Sequence, residues 1–224
     1  MQDLLESKRI GSKSGLDSSL LIFLHGYGAN GDDLLGLAEP MSEFLPDTVF
    51  VSPNAPEICF GNPGGYQWFP IPWIDGSSEV DSRLIMEQSI DTVNIFVDEI
   101  MKIEGIKEQN TILLGFSQGT MLSLHLAPRR ALPFAGVVGF SGRLLEPESL
   151  EDELKVKMPI LLAHGDGDDV VPFESMADAA NILTVNGFTV YTHIAKGVGH
   201  GISPDGLGTA LQFMNNMLGI STSE

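Results

Sequence analysis

The residues best suited to chemistry in this chain are five in a row, 115–119, which read Gly-Phe-Ser-Gln-Gly. A short apolar run rich in β-forming residues, 111–114, precedes them, and a helix-like run follows and ends at Pro128. A serine between two glycines at a strand-to-helix turn stands on a strained backbone with its hydroxyl exposed. This context predicts that Ser117 is a nucleophile.

A serine nucleophile needs a base that takes its proton and an acid that orients the base. After the predicted strand 159–163 the chain carries three aspartates, Asp166, Asp168 and Asp169, and His200 follows the next predicted strand. Nucleophile, acid and base therefore occur in the order of a serine triad, each after a strand. His200 is the predicted base, whereas these positions do not separate the three aspartates.

The tetrahedral intermediate of acyl transfer also needs hydrogen-bond donors for its oxyanion. The backbone N–H of Gln118, directly after the nucleophile, is one predicted donor. A second is expected from a loop after an early strand, and His-Gly-Tyr-Gly at 25–28 follows the predicted strand 19–24. Its glycines allow a turn that points the N–H of Tyr27 inward.

The other histidines have structural interpretations. His193 lies within a predicted strand, His125 lies on a helix, and His25 and His164 lie in turns. The run 164–169 mixes imidazole and carboxylates, but the chain has no paired Cys/His spacing typical of a metal site. We therefore expect neither a metal nor a cofactor.

The composition excludes several classes of partner. The chain has 224 residues with 12 basic and 30 acidic side chains, a net charge of −18. That field repels nucleic acids and anionic lipid surfaces. No apolar run approaches a membrane span, the N-terminus lacks signal-peptide features, and Cys59 is the single cysteine. These features predict a cytoplasmic protein without stable membrane association.

Strand-like and helix-like runs alternate along the chain, which is typical of an α/β fold with a mostly parallel sheet. Predicted strands cover 19–24, 48–52, 111–114, 135–140, 159–163 and 188–194, and the longest predicted helices cover 80–103, 173–185 and 204–218. The segment 54–78 holds many prolines and glycines and both tryptophans. It is interpreted as a long, ordered, lid-like loop.

Four motifs taken together resemble the carboxylesterase/phospholipase family that includes acyl-protein thioesterases. They are the sequences at 25–33, 115–119, 164–168 and 199–200. The resemblance extends from about residue 20 to residue 218. It implies one α/β-hydrolase domain over 1–224, with a mostly parallel central sheet flanked by helices and no separate cap domain.

The resemblance also assigns residues. It places the triad at Ser117, Asp168 and His200 and the oxyanion donors at the backbone N–H groups of Tyr27 and Gln118. It implies that Trp68, Phe69 and Ile71 contact the substrate, although anchoring of the loop explains Trp68 equally well. Two positions depart from the family pattern: Thr120 replaces a third glycine and Asp169 replaces a proline.

The function expected from these observations is that of a serine carboxylesterase, which hydrolyses small uncharged esters of short- to medium-chain acids through an acyl-enzyme. An acyl-protein or acyl-CoA thioesterase and a lysophospholipase would use the same triad. A ligand receptor on a hydrolase fold is the non-enzymatic alternative. The resemblance is also compatible with a homodimer.

Overall fold

The computed structural model describes residues 4–220, with the exception of the Trp73 side chain. The first three and last four residues of the expected domain 1–224, including the N-terminus considered above, lie outside the described residues. Nine strands are present in the described part. They are β1 Ser7–Ile10, β2 Ser19–Leu24, β3 Thr48–Pro53, β4 Glu57–Ile58, β5 Tyr66–Gln67, β6 Thr111–Phe116, β7 Gly136–Phe140, β8 Ile160–Gly165 and β9 Val190–Ala195.

Seven of these strands form one sheet in the order β1-β3-β2-β6-β7-β8-β9. Every neighbouring pair is parallel except β1 with β3, so β1 is an antiparallel edge. Strands β4 and β5 form a separate antiparallel hairpin. Because the central strands are parallel, their carboxyl ends all meet at one edge of the sheet, where ligands of such folds bind.

The helices connect the strands. They are α1 Gly31–Leu35, α2 Ala38–Ser42, α3 Pro72–Asp75, α4 Glu79–Glu104, α5 Gln118–Leu126, α6 Leu150–Glu153, α7 Glu174–Val185 and α8 Pro204–Leu218. The Ser78 side chain accepts a hydrogen bond from the N–H of Asp81 and so caps the start of α4, and Gly105 in a left-handed conformation ends it. Within residues 4–220, no helix has the length and apolar character needed to cross a bilayer.

Side chains of the sheet alternate between two buried layers. On β2, Leu20 and Ile22 face one layer, which α4, α5 and α7 cover, while Leu21 and Phe23 face the other, which α1, α2 and α8 cover. All six residues of β2 are buried. A continuous apolar strand is expected in a parallel sheet with helices on both faces.

The predicted fold class is confirmed, and each predicted strand overlaps an observed one. The short helices α1, α2, α3 and α6 were not predicted, nor was β1, whose residues Ser-Lys-Arg-Ile carry no strand pattern. The segment 54–78 is more regular than a loop, since it contains the β4–β5 hairpin and α3.

Candidate active site

The edge where the parallel strands end holds a cavity of about 210 Å³. Loops that follow β2, β6 and β9 bring Tyr27, Ser117 and His200 to its wall, and Gln118 lines it as well. Asp168 follows β8 and lies behind His200. Four segments that are distant in sequence therefore meet at one place.

Ser117 occupies a strained turn between β6 and α5. Its φ of 53° and ψ of −115° are unusual for a residue with a side chain. The turn is tight because α5 packs directly on the sheet. A Cβ at Gly119 would lie 1.8 Å from the carbonyl oxygen of Leu24, so only glycine fits there. The backbone N–H of Ser117 donates to the carbonyl of Phe140 at 2.9 Å, which fixes the turn to β7.

Thr120, which stands in place of a third glycine, is accommodated by the neighbouring strand. Its hydroxyl donates to the carbonyl of Phe140 at 2.8 Å. A Cβ at Gly139 or Gly142 would lie 2.5 or 2.4 Å from atoms of the Thr120 side chain. Because Gly139 and Gly142 have no side chains, there is room for the side chain of Thr120.

Asp168 holds His200 and is itself held by backbone. Its Oδ2 accepts from Nδ1 of His200 at 2.8 Å, and its Oδ1 accepts from the N–H groups of Val170 and Val171, both at 2.9 Å. Burial by itself would raise the pKa of Asp168. The hydrogen bonds from His200 and the two N–H groups outweigh burial and hold that pKa below its ordinary value. The carboxylate is therefore kept ionised.

The structure separates the three aspartates by position. Asp166 accepts the N–H of Gly197 at 2.6 Å through its side chain, so it shapes the loop that carries His200. Asp169 is exposed to solvent. Among the described residues, Asp168 is the carboxylate that contacts His200.

A second histidine contacts the same carboxylate, which sequence reasoning did not anticipate. Nε2 of His164 lies 3.1 Å from Oδ2 of Asp168 and 3.0 Å from the carbonyl oxygen of Val171, and the ring is buried. A proton on Nε2 would face both acceptors. The available signal was the spacing of His164 and Asp168, four residues apart at the end of a strand.

The two residues predicted to supply oxyanion donors, Tyr27 and Gln118, both lie beside Ser117. Within residues 4–220, the N–H of Tyr27 has no hydrogen-bond acceptor. Gln118 is the first residue of α5, where an N–H has no partner inside the helix. Both residues line the cavity beside Ser117.

The Gln118 side chain fixes the cavity wall. Its Oε1 accepts the N–H of Trp68 at 3.2 Å, and its Nε2 donates to the carbonyl of Phe69 at 2.8 Å. Phe69 and Ile71 line the cavity. The remaining wall is mostly apolar, from Ile74, Phe116, Met121, Val170, Val171 and Pro172.

Trp68 does not line the cavity, contrary to its expected contact with substrate. Its side chain is fully buried, and its indole N–H donates to the carbonyl of His25 at 2.9 Å. The hydroxyl of Ser89 on α4 donates to the carbonyl of Trp68. Trp68 thus anchors the segment that Phe69 and Ile71 extend into the cavity wall.

The remaining histidines lie outside the cavity lining. In His25, Nδ1 lies 2.8 Å from the carbonyl of Gly26 and Nε2 accepts the N–H of Ala55 at 3.0 Å, while burial lowers the pKa of the ring. His193 pairs with Asp205, and His125 is buried on α5. Nowhere in the described part of the chain do three His, Cys, Asp or Glu side chains cluster closely enough to hold a metal ion.

The chain is similar to known proteins over most of its length. The model of the phospholipase/carboxylesterase family matches residues 5–218. The acyl-protein thioesterase 1 of Saccharomyces cerevisiae is 33% identical over 94% of this chain and 97% of its own. Esterase YpfH of Escherichia coli is 29% identical over 87% of this chain and 81% of its own. The crystal structure of esterase PE8 superposes with a TM-score of 0.91 at 39% identity, covering 96% of this chain and all of the other.

The mostly parallel sheet and the strained serine turn define an α/β-hydrolase. Within that class, the chain belongs to the phospholipase/carboxylesterase family. The resemblance inferred from four motifs is confirmed by this match, and the chain is an ester hydrolase of the carboxylesterase and acyl-protein thioesterase group.

Proposed function

We propose that this protein is a serine carboxylesterase that hydrolyses esters of short- to medium-chain acids through an acyl-enzyme on Ser117. The observation that carries the proposal is the 2.8 Å hydrogen bond between Asp168 and His200, with His200 and Ser117 on the wall of one cavity. An acid, a base and a nucleophile in this arrangement suit acyl transfer.

In the proposed reaction, Nδ1–H of His200 donates to Asp168, so Nε2 carries the lone pair that accepts the proton of Ser117. Oγ of Ser117 attacks the ester carbonyl carbon, and the N–H groups of Tyr27 and Gln118 bind the oxyanion. His200 then gives its proton to the departing alcohol, which leaves an acyl-enzyme. Water, deprotonated by His200, hydrolyses the acyl-enzyme and restores Ser117 with release of the acid.

Within residues 4–220 no hydrogen bond joins the side chains of Ser117 and His200. Catalytic hydrogen bonds are often long in ligand-free enzymes and shorten when substrate binds. The proposed reaction therefore requires the side chains of Ser117 and His200 to approach each other when substrate binds. The Asp168–His200 pair is the fixed part of this arrangement, because backbone N–H groups hold the carboxylate of Asp168.

The size of the cavity favours substrates with small acyl groups. Its volume of about 210 Å³ is below the ~300–1,000 Å³ of pockets that enclose drug-sized ligands. Its walls are mostly apolar, so an aliphatic acyl chain would be desolvated there.

We propose a cytoplasmic location on the basis of the single cysteine. Gel filtration would test the expected homodimer.

A second candidate function is acyl-protein thioesterase. The observation that favours it is the relative of that name in Saccharomyces cerevisiae, which aligns with 94% of this chain. Thioesters require the same nucleophile, base and oxyanion donors, so these residues do not discriminate. The ratio of kcat/KM for a matched ester and thioester of one acid would decide between the two.

The test of the proposed function is the initial rate on p-nitrophenyl esters from acetate to dodecanoate, for the wild type and Ser117→Ala. We expect turnover of the shorter esters and a loss of several orders of magnitude in Ser117→Ala. Ser123→Ala is the control, because Ser123 lies on the same helix with its hydroxyl bonded to the carbonyl of Gly119. Equal inertness of the wild type and Ser117→Ala would instead support the ligand receptor.

A further inference from the structure

Arg143 brings a permanent charge to the candidate cavity. Among the described residues that line this cavity, Arg143 is the one with a permanent charge. Arg143 is also exposed to solvent. It follows β7 and lies at the rim, because it lines both the cavity and an adjoining groove of about 360 Å³.

Arg143 is not used to hold the fold together. Each other arginine forms an ion pair with a carboxylate, namely Arg9, Arg83, Arg129 and Arg130. Arg143 forms neither an ion pair nor a side-chain hydrogen bond within residues 4–220. Glu146, three residues away, is bound to Arg83 at 2.7 Å. The guanidinium is therefore available to a ligand.

The carboxylates that share the adjoining groove with Arg143 are absent from the cavity lining. Glu79, Glu146 and Glu148 line the adjoining groove and do not line the cavity. An anionic group in the cavity would thus meet Arg143 before it meets any of these side chains. The cavity is suited to a negative charge at its rim and to an apolar chain inside.

The strong net charge of −18 does not oppose this arrangement at short range. Exposed charges more than about 8 Å apart are largely screened at physiological ionic strength. A guanidinium in direct contact therefore dominates the interaction with a bound anion. Its planar fork of donors matches the two oxygens of a carboxylate.

We propose that Arg143 binds an ionised carboxylate on the substrate, so that the preferred esters are those that carry a free acid group in addition to the scissile ester. Half-esters of dicarboxylic acids are the simplest members of this class. This proposal rests on the proposed esterase function of Ser117. The substrate proposed here is an anionic ester, whereas the composition of the chain favours an uncharged one.

The test compares matched pairs of esters. Monoethyl adipate and ethyl hexanoate differ by a carboxylate on the acyl part, and 6-acetoxyhexanoate and hexyl acetate differ by one on the alcohol part. We expect the wild type to prefer the anionic member of at least one pair in kcat/KM. Arg143→Gln should reduce that preference about tenfold, mainly through KM, since the variant loses a hydrogen bond between charged groups.

Two further measurements make the result specific. Arg143→Lys should restore part of the preference, and added salt should weaken it in the wild type but not in Arg143→Gln. Lys102→Gln removes the same charge from the exposed surface of α4 and should leave the preference unchanged. An equal loss in Lys102→Gln, or a preference untouched by Arg143→Gln, would overturn the proposal.

Failure of the two proposals can be told apart. If Ser117→Ala abolishes hydrolysis but Arg143→Gln affects both members of each pair equally, the esterase function stands and the carboxylate site is wrong. If neither pair is hydrolysed in a Ser117-dependent way, and p-nitrophenyl esters are not hydrolysed either, both proposals are overturned.

Discussion

The candidate active site and a larger groove elsewhere on the molecule differ in a way that size does not predict. The groove has a volume of about 760 Å³, more than three times the 210 Å³ of the candidate cavity. It lies between α4, the end of α5 and the residues after α6, and its lining includes His125, Arg129 and Arg130. It is larger and richer in charge than the cavity.

The two arginines of the groove are bound to other residues of the fold. Arg129 donates to Glu153 at 2.6 Å and to the hydroxyl of Ser149 at 2.8 Å. Arg130 donates to Asp98 at 2.5 Å and to Asn94, and it stacks on the ring of Phe134 with 4.9 Å to the centroid. These contacts tie three helical segments together.

The candidate cavity differs from the groove in the chemical groups that it brings together. It combines a strained serine, an imidazole fixed by an ionised carboxylate, N–H donors that the fold leaves without acceptors, and an arginine without an ion pair in the described chain. The groove also contains buried atoms without a hydrogen-bond partner in the described chain, Nδ1 of His125 and Nε of Arg130. The comparison teaches that a nucleophile, a base and donors gathered on one wall mark a site better than volume does.

The largest effect expected is the loss of activity when Asp168, next to the candidate cavity, is replaced. Asp168→Asn should lower kcat about 10⁴-fold, because an amide no longer selects the His200 tautomer with a free Nε2 or stabilises its imidazolium. Initial rates on a short p-nitrophenyl ester measure this. Asp169→Asn removes the same charge from the exposed neighbour and should keep kcat within twofold. If Asp169→Asn lost as much as Asp168→Asn, the assignment of the acid would be wrong.

The second prediction concerns the wall of the cavity. Gln118→Met leaves the backbone N–H of residue 118 in place but removes both side-chain partners of Trp68 and Phe69. We expect a loss of about 3 kcal/mol in the free energy of unfolding, because buried backbone groups lose their partners. We also expect a fall of about 10- to 100-fold in kcat as the wall shifts.

Urea denaturation and initial rates on the same preparations measure these two effects. Gln212→Met, on the exposed surface of α8, is the matched control and should change neither. Wild-type stability in Gln118→Met would show that the two hydrogen bonds do not hold the segment.

Local sequence signals were sufficient where one strong pattern decided the structure. Apolar strand-like runs were enough to predict the strands of the sheet. Helix α8 has the predicted ends because Ser203 caps its start and Gly219 ends it. The motif at 115–119 placed Ser117 between β6 and α5. These features depend on neighbours within a few residues.

Features that depend on long-range contacts could not be derived in this way. Trp68 becomes an anchor because the loop after β2 offers it the carbonyl of His25. His164 contacts Asp168 because the turn after β8 folds back on its own strand. The pairing of β1 with β3 stabilises as a strand four residues, three of them polar, that show no strand pattern of their own. Each outcome is fixed by partners that sequence spacing does not reveal.

The third prediction tests whether the groove is structural. Arg130→Ala should lower the free energy of unfolding by about 2 kcal/mol, through loss of packing, the contact with Phe134 and hydrogen bonds to α4. It should leave kcat/KM for a short ester within twofold, since Arg130 does not line the candidate cavity. Urea denaturation and ester hydrolysis measure the two quantities. A large loss of activity with unchanged stability would give the groove a part in catalysis and break the comparison.

The smallest effect expected is a change in the pH dependence of stability, and it separates buried His125 in the groove from buried His25 in the loop after β2. Burial, assisted by Arg129, lowers the pKa of His125 from an ordinary value of 6.5, and burial lowers the pKa of His25 likewise. Below pH 6.5 the unfolded chain therefore binds protons that the folded chain does not. Stability is fully present above that pH and is lost as the pH falls, by up to about 1.4 kcal/mol per pH unit for each histidine.

His125→Leu should remove the part of this slope that belongs to the groove and leave the part that belongs to His25. The free energy of unfolding, measured between pH 7.5 and about 5.5, should therefore fall less steeply in the variant, by roughly half of the wild-type slope if the two rings contribute equally. His193→Leu applies the same change to a ring outside both regions. An unchanged slope in His125→Leu would mean that this ring gains its proton in the folded protein as readily as in the unfolded chain. The groove would then be open enough for water to hydrate a charge, and its interpretation as a structural region would be wrong.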